Sequence, residues 1–278
     1  MKTFDLCCEL GYNLQEKTAL VFNVQPVNNN AQKVLDENLQ LKPSLYPEEY
    51  GDILERNRYF RVIPPEGDFE LFYQATVQTF HFWEDPNSIR ELPPTKLPVE
   101  TLHYLYPSRY CQSDMLFGLA MSEFGDLVPD YSRVTAICNW IYDKVRYLSG
   151  SSDSQTSAYD TVTKRAGVCR DFAHLGIAFC RALNIPARFV SAYAYQLEPP
   201  DFHACFEAYL GDRWYLFDAT RLVPLDGIIR ISTGRDAADV SFATFFGAVQ
   251  FNRMNLSVEL VSESEENTLG DEGAIAIS

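Results

Sequence analysis

One unbroken apolar stripe runs through residues 169–183. Cys169, Phe172, Leu175, Gly176, Phe179, Cys180 and Leu183 fall at i, i+3, i+6, i+7, i+10, i+11 and i+14, the spacing of a single helix face. Gly167-Val168 stands directly before it, and Asn184 and Pro186 end it. Ala187 to Tyr195, rich in strand formers, follows at once. A helix this one-sided buries that face against another layer. With strands read before and after the helical stretch, the expected class is α+β.

The remaining chain supplies that layer and more. His203 to Leu210 and Arg213 to Asp218 flank Gly211-Asp212, a two-residue turn of the Gly-first kind that closes hairpins. Upstream, Met115 to Phe124 and about Tyr131 to Arg146 keep helical spacing, and Ser149 to Ser154 reads as a loop. The first hundred residues read as β structure. Phe4, Leu6, Cys8, Leu10 and Tyr12 alternate, and Leu20 to Val24, Tyr59 to Ile63 and Glu70 to Phe82 are further strands. Turn clusters separate them at Asn28-Asn29-Asn30 and Pro64-Pro65-Glu66-Gly67-Asp68. The reading is an antiparallel sandwich or barrel over 1–100, a linker marked by Pro93-Pro94 and Pro98, a second domain over 101–250, and a C-terminal strand and acidic tail over 251–278. The tail from Ser262 is expected to be mobile and solubilising.

Charge and cysteine usage narrow the function. Lys and Arg number 23 against 38 Asp and Glu, a formal net charge of −15. Such a chain repels phosphate backbones, so no nucleic-acid partner is expected. No window holds the ~20 apolar residues of a membrane helix, so no membrane partner is expected either. Asp5 interrupts the N-terminus before an apolar core forms, so no signal peptide is expected. The seven cysteines are odd in number and include no Cys-x-x-Cys, which suggests neither a disulfide framework nor a zinc knuckle. A cytoplasmic protein with reduced thiols, no metal and no cofactor is the expectation.

Cys169 differs from the other six by position. The first turn of a helix has unpaired N–H groups and a partial positive charge. Both favour thiolate over thiol, and the same N–H groups can bind an oxyanion formed beside the sulfur. A cysteine on an apolar stripe is more often core, so a base is needed to support the assignment. The hairpin offers one. With Gly211-Asp212 as the turn, Leu210 faces Arg213 and Cys205 faces Asp218. His203 then shares a face with Cys205, diagonal to Asp218 and ~7–8 Å away between backbones. An imidazole and a carboxylate at that distance can share a hydrogen bond, the pairing a general base requires. Asp171 in the first helical turn is expected to stabilise the helix start, and His174, five positions after Cys169, to be structural.

Three segments carry a family resemblance. Gly167-Val168-Cys169-Arg170-Asp171-Phe172-Ala173-His174-Leu175 resembles the nucleophile motif of the bacterial transglutaminase-like superfamily. His203-Ala204-Cys205-Phe206-Glu207 resembles its histidine strand, usually His-Ala-Trp-x-Glu, and Trp214 to Thr220 resembles its aspartate strand, usually ending Asp-Pro-Thr. Cys205 stands where an aromatic is usual and Ala219 where proline is usual. The resemblance implies a papain-like, transglutaminase-like core preceded by an N-terminal β domain. It implies Cys169 as nucleophile, His203 as base and Asp218 as orienter. It also implies an oxyanion hole made by the Cys169 N–H and an aromatic donor, for which Trp140 and Tyr193 are the candidates. The expected activity is a cysteine protease or amidase acting on a peptide or protein amide through a thioester. Transglutaminase-type transfer to an amine, and a non-catalytic binding module on the same scaffold, are the alternatives.

Overall fold

A computed structural model describes residues 1–51, 57–264 and 273–277. It is α+β, as the sequence predicts. The N-terminal part is a sandwich of two four-stranded antiparallel sheets. One sheet has the order Val249–Glu263, Lys2–Leu14, Gly67–Thr79, Gln32–Lys42; the other has Ala243–Phe245, Leu20–Phe22, Arg58–Val62, Glu48–Gly51. Phe4, Leu6, Cys8, Leu10 and Tyr12 bury their shared face against Leu20, Phe22, Phe60 and Val62 of the facing sheet, which is why that period-2 pattern exists. The last long strand, Val249–Glu263, pairs along the whole of Lys2–Leu14, so a late segment of the chain completes the sheet that the first strand begins. The acidic residues Glu265, Glu266, Asp271 and Glu272 of the expected tail lie outside the described residues. Ser262 and Glu263 are strand residues opposite Thr3 and Lys2.

The second part wraps four helices around one sheet. They are α1 (Ser113–Phe124), α2 (Tyr131–Lys144), α3 (Ala158–Lys164) and α4 (Cys169–Ala182). The sheet order is Arg213–Phe217, His203–Leu210, Ala187–Ala194, Ile228–Gly234, all antiparallel. The apolar stripe of α4 lies on it: Phe172, Leu175 and Phe179 share a core with Phe189, Phe206, Leu210 and Phe217. All eight residues of both Ala187–Ala194 and His203–Leu210 are buried, because the opposite face is covered as well. Part of that cover comes from Tyr193 and Ile229, which reach into the sandwich core. The rest comes from Ala274–Ala276, which pairs with Phe82–Glu84 and sets Ile275 against Val190 and Leu216. Among the buried polar residues of these strands, Glu207 accepts a 2.6 Å hydrogen bond from Arg188 on the neighbouring strand. Pairing of this kind is what allows a carboxylate to sit at 0 % exposure. Among the described residues no helix is long and apolar enough to cross a membrane.

Gly176 marks where α4 comes closest to the sheet. A Cβ there would fall 2.5 Å from Cε1 of Phe206, a ring stacked on Phe217 and fully buried. Neither ring has room to retreat, so Gly176→Ala overpacks the layer. It should destabilise the fold by ~1–3 kcal/mol in a urea titration, with the slope unchanged.

Candidate active site

The start of α4 is built by three neighbouring residues. Asp171, with no exposed surface, turns back so that its Oδ2 accepts the Val168 N–H at 2.8 Å, satisfying one of the unpaired donors of the first turn. Gly167 makes this possible, since a Cβ there would lie 2.7 Å from the Asp171 Cβ. Arg170 points away from the thiol, to the Asp153 carbonyl and the Asp171 carboxylate. Cys169 is thereby left half-buried at the helix end, whereas Cys8, Cys111, Cys138, Cys180 and Cys205 are buried. Burial pushes the Cys8 and Cys111 thiols up to about 12 and raises those of Cys138, Cys180 and Cys205 as well.

The hairpin has the register its turn predicts. Leu210 pairs with Arg213 and Phe206 with Phe217, with Gly211 at φ +59° in the turn. His203 and Asp218 meet just past the last paired residues, where His203 Nε2 and Asp218 Oδ2 are 2.7 Å apart. Both side chains are out of solvent, at 0 % and 2 % exposure. Asp218 is fully engaged. Its Oδ1 accepts the Thr220 N–H at 2.8 Å and its Oδ2 the Thr220 hydroxyl at 2.9 Å. Ala219 in place of proline leaves this turn closed. The other imidazole nitrogen, Nδ1, is buried and closes no hydrogen bond among the described residues, yet the Cys169 thiol is near enough to act on the ring. Burial works against a charged imidazole here. The Asp218 hydrogen bond and the Cys169 sulfur outweigh it and raise the His203 pKa to about 10. A loose thiol–imidazole contact that tightens with substrate is common in unliganded enzymes.

The structure moves neither Trp140 nor Tyr193 to the thiol. The Trp140 indole donates to Glu123 at 2.9 Å and packs edge-on against Phe179, ten residues along α4 from Cys169 and therefore ~15 Å away. The Tyr193 hydroxyl donates to the Val24 carbonyl at 2.7 Å inside the sandwich core. The aromatic beside the sulfur is Tyr147. Arg146–Tyr147 forms a short parallel pairing with Ala166–Gly167, with Tyr147 opposite Gly167. The Cys169 backbone N–H and thiol both act on its hydroxyl, and burial together with the sulfur raises its pKa to about 12. Sequence reasoning missed this residue because α2 is expected to run through Arg146, whereas it ends at Lys144. Among the described residues no three His, Cys, Asp or Glu side chains converge as a metal site would require.

A profile described as the Transglutaminase-like superfamily matches residues 122–219, and one described as Bacterial transglutaminase, N-terminal domain, matches residues 1–100. A crystal structure of a candidate cysteine protease from Cytophaga hutchinsonii is 44 % identical, covers 99 % of this chain and 97 % of that one, and superposes with a TM-score of 0.94. This chain belongs to the transglutaminase-like superfamily. Its α+β architecture, a β domain followed by a transglutaminase-like core, is that of the Cytophaga protein. An uncharacterized protein of Mycobacterium tuberculosis (strain ATCC 25618 / H37Rv) is 42 % identical over 192 residues, 63 % of this chain and 59 % of that protein. One of Mycobacterium leprae (strain TN) is 32 % identical over 117 residues, 39 % of this chain and 42 % of that protein. The chain thus spans about half the length of the mycobacterial relatives it matches.

His174, five residues into this transglutaminase-like helix, is structural. It is fully buried, stacked on Tyr110 at 5.0 Å, and its Nε2 accepts the Ala237 N–H at 3.1 Å. Burial, with Arg170 and Arg181 nearby, holds its pKa well below 6.5. The unfolded chain therefore binds this proton first. His174 costs no stability above about pH 6.5, and below it stability falls by ~1.4 kcal/mol per pH unit until the folded-state pKa is reached. Urea titrations of wild type and His174→Gln from pH 7.5 to 5 should show the shallower loss in the variant.

Proposed function

We propose that this chain is a thiol hydrolase that cleaves a peptide or protein amide through an acyl-enzyme at Cys169. The observation that carries this reading is the buried 2.7 Å bond between His203 and Asp218 beside a half-buried cysteine at a helix start. In the first step the Cys169 sulfur attacks the carbonyl carbon, and the electron pair moves to oxygen. That oxygen takes the place between the Cys169 N–H and the Tyr147 O–H. His203 gives its proton to the leaving nitrogen, the C–N bond breaks, and a thioester remains. In the second step His203 removes a proton from water, the hydroxide attacks the thioester, and the acid leaves as the thiolate returns. Asp218 holds the imidazole orientation and stabilises its charged form throughout.

An amine in place of water converts the second step into acyl transfer. The match of residues 1–100 to a bacterial transglutaminase domain keeps that reading in view. The 44 % identity to the Cytophaga protein, described as a candidate cysteine protease, favours hydrolysis.

Three variants test the assignment on a peptide-amide library read by mass spectrometry. Cys169→Ala should form no acyl-enzyme adduct and show no turnover. His203→Ala should lower kcat by about 10³-fold or more. Tyr147→Phe should lower kcat by about 10²-fold, the cost of one oxyanion donor, with little change in KM. Turnover retained by Cys169→Ala overturns the reading, and full activity in Tyr147→Phe removes the hydroxyl from the oxyanion hole.

A further inference from the structure

Close to His203 stands one charge that this reaction does not use. Asp201 lies two residues before His203, in the segment 195–202 that links the strands Ala187–Ala194 and His203–Leu210. The next residue, Phe202, is buried in the sandwich core and stacks on Phe242 at 4.6 Å, so the backbone at this point is anchored. Asp201 itself is exposed. Its Oδ1 accepts the Phe202 N–H at 2.7 Å, which fixes the side chain and leaves the other oxygen open. The carboxylate is close enough to His203 and Tyr147, the two residues beside the sulfur, to interact with both by charge.

No lysine or arginine among the described residues pairs with Asp201. The arginines nearest the triad in sequence are committed elsewhere. Arg170 holds the Asp153 carbonyl, and Arg221 bonds Asn139 and lies over the Tyr142 ring at 4.2 Å. Among the described residues, the positive group that interacts with Asp201 is the His203 imidazolium. Once His203 has given its proton to the leaving nitrogen, the neutral ring no longer offsets Asp201, and the Asp218 carboxylate buried behind the ring adds to the negative field. A cationic group arriving from solvent then meets a net negative, partly desolvated site, where attraction is several-fold stronger than in bulk water.

We propose that Asp201 is a specificity residue that binds an ammonium or guanidinium group carried by the molecule that reaches Cys169. This inference rests on the role given to Cys169 above. Two sources share that chemistry: a basic side chain beside the reacting amide of the acyl donor, and the ammonium of an amine that accepts the acyl group.

The test reads the local field at the sulfur, without turnover. Cationic, neutral and anionic methanethiosulfonate reagents are reacted with the full chain, and modification of Cys169 is followed by peptide mass spectrometry. Wild type should favour the cationic over the neutral reagent by about tenfold. Asp201→Asn, which keeps the oxygen that accepts the Phe202 N–H, should bring that ratio within about twofold while the neutral rate stays nearly unchanged. Asp201→Lys should invert the order. Taking the ratio cancels any change in thiol nucleophilicity passed through His203, and the net charge of −15 differs by only one between wild type and Asn variant. A ratio unchanged in Asp201→Asn, or an equal slowing of all three reagents, overturns the proposal. Failure of Cys169 to label ahead of the other cysteines instead breaks the nucleophile assignment, which the same spectra report separately. Matched donors with Lys or Gln beside the amide, and charged against neutral amine acceptors, then locate the cation. An Asp201→Asn loss of about tenfold on charged donors alone assigns it to the donor, on charged acceptors alone to the acceptor, and on neither overturns the proposal.

Discussion

Burying a carboxylate without a partner costs several kcal/mol, and the site is organised around the way Asp218 avoids that cost. Its oxygens take the His203 imidazole and both the N–H and the hydroxyl of Thr220. The His203 ring is thereby held at the end of its strand, close enough to Cys169 for the sulfur to act on it. The bond does two things at once. It satisfies a group that the aromatic strand Arg213–Phe217 would otherwise bury unpaired, and it makes a charged imidazole stable where burial alone would expel the charge.

The rest of the core keeps that bond in register with Cys169. The hairpin turn at Gly211 fixes which residue of Arg213–Phe217 lies beside which of His203–Leu210, and a slip by one would turn Asp218 to the other face. Gly176 lets α4 press onto Phe206, while Gly167 and Asp171 shape its first turn. The sandwich contributes by covering the sheet face that α4 does not. Tyr193, Phe202 and Ile229 cross into its core, so the segment before His203 is anchored in the N-terminal β layers.

Much of this was legible in sequence because it depends on short-range arithmetic. The α4 stripe, the two-residue turn and the diagonal from His203 to Asp218 follow from periods of 3.6 and 2. What escaped depends on tertiary placement. The strand Gln32–Lys42 is mostly exposed and polar along a sheet edge, so its sequence carries no alternation to read. Tyr147 is set beside Cys169 by a two-residue parallel pairing with Ala166–Gly167, and nothing local in Val-Arg-Tyr-Leu announces that. Trp140 has the right chemistry for an oxyanion donor but packs at the wrong end of α4. The fold was readable as α+β with an N-terminal β domain, whereas the aromatic beside Cys169 required coordinates.

The state of the His203 ring is the most direct test of the central bond. Ring-nitrogen NMR of the full chain, with His203 assigned by comparison with His203→Gln, reports its protonation across pH 5–11. The account predicts an imidazolium that persists through neutrality and loses its proton near pH 10, with a clear downward shift in Asp218→Asn and in Cys169→Ala. A ring that titrates near 6.5 and is indifferent to both substitutions would contradict it.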